Sequence, residues 1–154
     1  MVPPTARPGF PRVQHQRQGL ERALEPLEWR LIALGSGEDR DPQTAQEAVE
    51  MLAALGETLT SHFGAEEEPG GLFGELQSVA PRARGDMSAL VEEHQRFRER
   101  VAKLLARARR APRHPEEWVI VMRGFRRFAR DLRAHERAEN GLVAEILLED
   151  QGGG

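Results

Sequence analysis

The sequence predicts an all-α fold, an antiparallel up-down four-helix bundle. Three observations carry this expectation. Four stretches have helix-forming composition, no segment alternates with the two-residue period of a strand, and the links between the stretches are short and polar. The 154 residues fit one domain and are enough to bury a real core.

Taken in order, residues 1–12 contain Pro3, Pro4, Pro8 and Pro11 and read as an extended N-terminal arm, ahead of a bundle over residues 13–150. The first helix is expected over residues 13–34, stopping at Gly35-Ser36-Gly37, with Leu20, Leu24, Leu27 and Leu31 as its apolar stripe. Pro26 removes one backbone hydrogen bond from it. The second helix opens at Asp41-Pro42, an N-cap followed by proline at the first helical position, and continues to about Glu67. Glu68-Pro69-Gly70-Gly71 breaks it, and residues 72–79 form a short helical extension. The third helix is expected from Asp86 to near Arg110. The fourth opens around Pro115-Glu116-Glu117 and runs to about Glu149. Residues 151–154 read as a flexible tail.

Composition removes several chemistries. There is no cysteine, hence no disulfide framework, zinc–thiolate site, iron–sulfur cluster or thiol nucleophile. There is no tyrosine, hence no tyrosinate ligand or tyrosyl radical. Any metal must be held by nitrogen and oxygen. The net charge of -3 is small and its signs are interspersed, which gives no expectation of a nucleic-acid partner. Arg107, Arg109, Arg110 and Arg113 cluster where a helix end needs positive charge. No apolar run approaches the roughly 20 residues of a membrane span. The N-terminus lacks the apolar region of a secretory signal, so the cytoplasm is the default compartment. Trp29 and Trp118 are expected in the core or an interface.

The chain also looks duplicated. His15-Gln16-Arg17, then His62-x-x-x-Glu66, then Gly71-Leu72-Phe73 in the first half match His94-Gln95-Arg96, His135-x-x-x-Glu139 and Gly141-Leu142-Val143 in the second. Four residues is just over one helical turn, so each His-x-x-x-Glu pair shares a face. At about 100° per residue, His62 is flanked by Ala48, Met51, Leu55 and Leu59. His94 is flanked by Met87, Leu90, Val91, Phe97, Val101 and Leu105, and His135 by Val121, Gly124, Phe128, Leu132, Leu142 and Ile146. These three histidines therefore sit in the middle of apolar stripes, with Glu66 and Glu139 turned inward beside them. Ionised carboxylates in a bundle core are costly unless paired or bound to metal, so a cation between the helices is expected. His15 fits less well, about 130° from the centre of its own stripe on an ideal helix. The repeat is what includes it. His114 reads as surface. Glu67, Glu68 and Glu136 read as solvated helix-face charges, Glu67 being the candidate extra ligand. Gln14 and Glu93 precede the repeat histidines and are candidate partners for ligand imidazoles. If the two inward glutamates are core ligands, Glu66→Ala and Glu139→Ala should leave the metal-free chain at least as stable as the parent.

With these residues in their order, the chain resembles the hemerythrin-like, histidine–histidine–glutamate cation-binding family over about residues 13–148. That resemblance implies a four-helix bundle with two iron ions bridged by carboxylates and an oxo, hydroxo or water oxygen. It implies metal ligation by His15, His62, Glu66, His94, His135 and Glu139. Manganese or zinc would also suit imidazole and carboxylate ligands, because affinity alone does not select iron. Respiratory hemerythrins have a fifth histidine four residues along one helix and an aspartate five residues after the last histidine. Here those places hold Arg98 and Asn140. Fewer protein nitrogens leave more open positions, which argues against reversible oxygen transport as the main role. The expectation is a di-iron protein that reacts with or senses dioxygen, peroxide or nitric oxide, or handles iron. A di-iron oxidase or ferroxidase and a metal-free helical interaction module are the alternatives. Nothing in the chain fixes its oligomeric state.

Overall fold

The computed structural model describes the backbone of residues 10–152 and the side chains of residues 19–149. Its elements are α1 (Phe10–Ser36), α2 (Pro42–Glu67), a short α3 (Leu72–Val79), a 3-10 turn (Pro81–Ala83), α4 (Arg84–Arg110) and α5 (Glu117–Gly152). The bundle is a square. α1 packs on α2 and α5, and α4 packs on the same two neighbours, while α3 closes the end between α2 and α5.

Most boundaries follow from local chemistry. The Asp41 carboxylate accepts a hydrogen bond from the Gln43 backbone N–H at 2.9 Å, and Pro42 occupies the first helical position. α1 is followed by Gly37 at φ +80°, the left-handed conformation glycine reaches without a Cβ penalty. Gly71 answers a different need. A Cβ there would lie against the carbonyl oxygens of Ala65 and Glu66, so only glycine lets α3 start directly behind the end of α2. Arg107, Arg109 and Arg110 lie in the last turn of α4, and Arg107 Nη1 donates to Glu117 Oε2 at 2.9 Å across the link to α5.

Several helix boundaries differ from expectation. α1 begins at Phe10, so residues 10–12 continue the helix and do not belong to the arm. A proline in a first turn is tolerated, because the N–H it lacks would have had no intrahelical partner. α1 also continues through Pro26 without interruption. α5 extends to Gly152. The turn Pro81–Ala83 leads into an α4 that starts at Arg84, two residues before Asp86. Residues 1–9, 153 and 154 lie outside the described residues.

The core has two apolar parts. The larger joins Leu24, Leu27 and Leu31 of α1 to Leu52, Leu55 and Leu59 of α2, Phe97 and Val101 of α4, and Phe125, Phe128 and Leu132 of α5. The smaller joins Leu72 and Leu76 of α3 to Met87 and Leu90 of α4 and to Leu142 and Ile146 of α5. Along α4 and α5 a buried histidine falls between the two parts, and on α2 a third follows the last leucine of the larger one. The fold thus holds a polar layer between two dry ones. Trp118 is buried in the core, and Trp29 is 66% exposed.

Candidate metal centre

Six polar side chains form this layer, five of them buried. His62, Glu66, His94, His135 and Glu139 are the buried polar residues among those described. Each histidine turns its Nε2 inward. His94 Nε2 lies 3.1 Å from His135 Nε2 and 3.3 Å from Glu139 Oε1, and His135 Nε2 lies 2.8 Å from the same oxygen. On the other side, His62 Nε2 is 2.5 Å from Glu66 Oε1 and 3.3 Å from Glu136 Oε1. Glu66 Oε2 reaches to 3.6 Å from His94 Nε2 and links the two sides.

The ligand atoms fall into two overlapping groups, His94–His135–Glu139 and His62–Glu66–Glu136–Glu139, and Glu139 belongs to both. The second group contains an observation that fits a cation. His62 Nε2 and Glu66 Oε1 are in close contact but are not aligned as a hydrogen bond, and both Glu66 oxygens and both His62 nitrogens lack an aligned partner among the described residues. Buried donors and acceptors are otherwise satisfied almost without exception. The inward His62 Nε2 and the two Glu66 oxygens supply lone pairs of the kind a bound ion requires. An imidazole–carboxylate set suits iron, manganese or zinc.

One outer nitrogen and two of the ring faces are held as well. His135 Nδ1 and Glu93 Oε2 are 2.6 Å apart, the arrangement by which a carboxylate fixes the tautomer and raises the basicity of an imidazole ligand. Glu67 Oε2 lies 3.7 Å from His94 Nδ1 and accepts from Arg98 Nη2 at 2.9 Å. Phe63 stacks on His94 with ring centroids 3.9 Å apart and planes 9° from parallel. Phe97 meets His135 edge-on at 5.3 Å. These rings lock the imidazole planes and keep the layer dry, which strengthens every charge interaction inside it.

Without a cation the layer is electrostatically divided. Burial opposes a charge on His62, but Glu136 and Glu66 outweigh it and push the imidazole up to about 9. Burial raises Glu66, the adjacent Glu139 adds to this, and His62 offsets only part, so the carboxyl is pushed up to about 8. Burial also works against Glu139, but hydrogen bonds from His135 and His94 hold it well below the usual carboxylate range. His135 is raised, with Glu139 and then Glu93 overcoming its burial. The two glutamates are therefore pushed in opposite directions within the same layer.

A family model described as the hemerythrin HHE cation binding domain matches residues 12–147. The chain belongs to this hemerythrin family. No curated protein and no solved structure gives a significant match. The hemerythrin match spans all four long helices and both His-x-x-x-Glu pairs.

Five of the six residues expected as ligands in this hemerythrin-family chain come together in the layer. The sixth, His15, and its neighbour Gln14 have side chains outside the described residues. Glu136 corrects the reading of a solvated charge. It sits against His62 with its side chain only 16% exposed. The sequence signal was available, since Glu136 is the residue after His135, but at about 100° from His135 it reads as off the apolar face. It belongs instead to the flank of α5 turned toward His62 of α2. Glu68 is exposed as expected. Glu67 faces the outer nitrogen of His94 and not the centre. Glu93 does contact an imidazole, that of the other helix. Arg98 turns outward to Glu67, and Asn140 is exposed, so neither adds to the layer. His114 is on the surface.

The Glu93–His135 contact yields a prediction. Glu93→Ala should leave the fold intact and lower metal affinity by roughly 10- to 100-fold, the usual cost of losing such an outer partner. Competition with a chelator of known affinity measures it. An unchanged affinity would make Glu93 a surface charge.

Proposed function

We propose that the chain is a non-haem dinuclear metal protein, with iron as the physiological metal, that reacts with or senses a small oxidant such as dioxygen, peroxide or nitric oxide, or handles iron. His94, His135 and Glu139 would hold one metal. His62, Glu66 and Glu136 would hold the other, with Glu139 common to both and His15 as the remaining imidazole. The observation that carries this reading is the convergence of three imidazoles and three carboxylates in a layer where His62, Glu66, His94, His135 and Glu139 are all nearly inaccessible to solvent. That burial also favours a small ligand over a bulky organic substrate. Once bound, a ferrous pair would supply electrons to the oxidant. The protein's own part is to set ligand number, hold imidazole planes with Phe63 and Phe97, and exclude water.

Anaerobic titration with ferrous iron, followed optically and by elemental analysis, tests the proposal. Close to two metals per chain is the expected result. A reproducible value near zero would end the metal reading, and a value near one would make the site mononuclear. Steady turnover on adding a reductant would identify an enzyme, an oxidase or ferroxidase, in place of a sensor or store.

His15→Ala separates the repeat from the helix phase. If His15 is a ligand, the variant loses one iron or holds a mixed population. Unchanged iron content and spectrum would show that helix phase outweighs repeat symmetry.

A further inference from the structure

Glu136 belongs to two places at once. It is in the polar layer, 3.3 Å from His62 Nε2, and it lines a cleft of about 380 Å³ between α1 and α5. Of the residues in the two candidate ligand groups, it alone is not buried. The walls of the cleft are Leu20, Leu24 and Leu132, each buried and unable to ligate anything. Its rim is polar. Arg133 is tied down there, donating from Nη2 to Glu21 Oε1 at 2.8 Å and to Glu28 Oε2 at 3.4 Å, so its charge is neutralised by α1. Arg137, one turn further along α5, also lines the cleft, and it has no ion-pair partner among the described residues. Asn140 completes this side of the rim and is exposed.

Resting on the metal-centre reading above, we propose that this cleft is the path by which small ligands reach the centre, and that Arg137 biases it toward anions. A guanidinium with no ion-pair partner among the described residues, beside a low-dielectric cleft, focuses its field along that cleft and raises the local concentration of negative ligands. Glu136 stands at the inner end, where an arriving ligand first meets the centre. Arg133 is a strut between α1 and α5, and Arg137 is the selectivity residue.

The test uses the iron-loaded full chain and stopped-flow optical mixing with two probes of similar size, anionic azide and neutral nitric oxide. Arg137→Glu should slow azide association by about tenfold or more, reverse its ionic-strength dependence and leave nitric oxide unchanged. Asn140→Trp, which narrows the rim, should slow both probes. Iron content should be the same in both variants and the parent, since neither residue is in the ligand groups. An azide rate indifferent to Arg137→Glu, or equal slowing of both probes by it, overturns the anion bias. Rates indifferent to Asn140→Trp overturn the path. A parent that takes up no iron overturns the metal reading and this inference with it. An iron-loaded parent whose rates ignore both substitutions overturns the inference alone.

Discussion

Saturating ferrous iron, or zinc as a redox-inert substitute, should raise the melting temperature of the metal-free chain by roughly 8 to 16 °C at pH 8. An ion that binds the folded chain alone, at about 1,000 times its dissociation constant, adds about 4 kcal/mol by mass action. For a domain of this size each kcal/mol shifts the midpoint by about 2 to 4 °C. The sign of the pH dependence follows from the protonated state of the layer. In the folded metal-free chain, His62 holds its proton up to about 9 and Glu66 holds one up to about 8. A cation must displace both, so its affinity rises with pH through this window and falls below it. Each displaced proton contributes up to about tenfold in affinity per pH unit. The thermal gain should therefore be large at pH 8 and mostly gone at pH 6 at the same metal concentration. Differential scanning with and without metal across this range is the measurement. A gain that is absent, or independent of pH, would remove His62 and Glu66 from the ligand set.

Glu139→Ala should lose both metals, because Glu139 is the carboxylate common to the two ligand groups. Losing an outer partner of a ligand costs about 10- to 100-fold in affinity, and losing a direct ligand to both ions should exceed that at each position. Glu66→Ala should also weaken both, but less at the His94–His135 side, where Glu66 is no closer than 3.6 Å to His94. The metal-free variants should also differ, contrary to the expectation that both would be at least as stable as the parent. Burial pushes the Glu66 carboxyl toward its neutral form, so its removal takes away little buried charge and should cost little. Glu139 accepts from His135 and His94, and breaking a buried ionic pair by deleting one partner typically costs about 3 to 5 kcal/mol. The metal-free Glu139→Ala midpoint should fall by about 10 °C, on the same 2 to 4 °C per kcal/mol. Equal metal loss and equal stability in the two variants would contradict the opposite shifts of the two glutamates.

The sequence by itself determined the four long helices, α3, and the inward placement of His62, Glu66, His94, His135 and Glu139. These features are local or periodic. Asp41-Pro42, Gly37 and the Glu68–Gly71 break act within a turn, and an apolar stripe reveals which face of a helix must leave water. The same periodicity foresaw Leu20, Leu24, Leu27 and Leu31 in the core. Helix ends were less legible, because Phe10, Arg84 and Gly152 carry no strong capping signal. Only the tertiary structure decided which residues meet across helices. Glu136 lies on the flank of α5 beside α1, and a flank is buried or exposed according to how the neighbouring helices sit, which a single helix projection does not contain. Glu93 was visible as the neighbour of one histidine, but its contact is to the other, His135, because α4 and α5 lie side by side. The sharing of Glu139 between two ligand groups, and the opposite shifts of two glutamates at the same repeat position, likewise arise from distances between helices. The repeat makes the two halves alike in sequence, and packing makes them unlike in electrostatics.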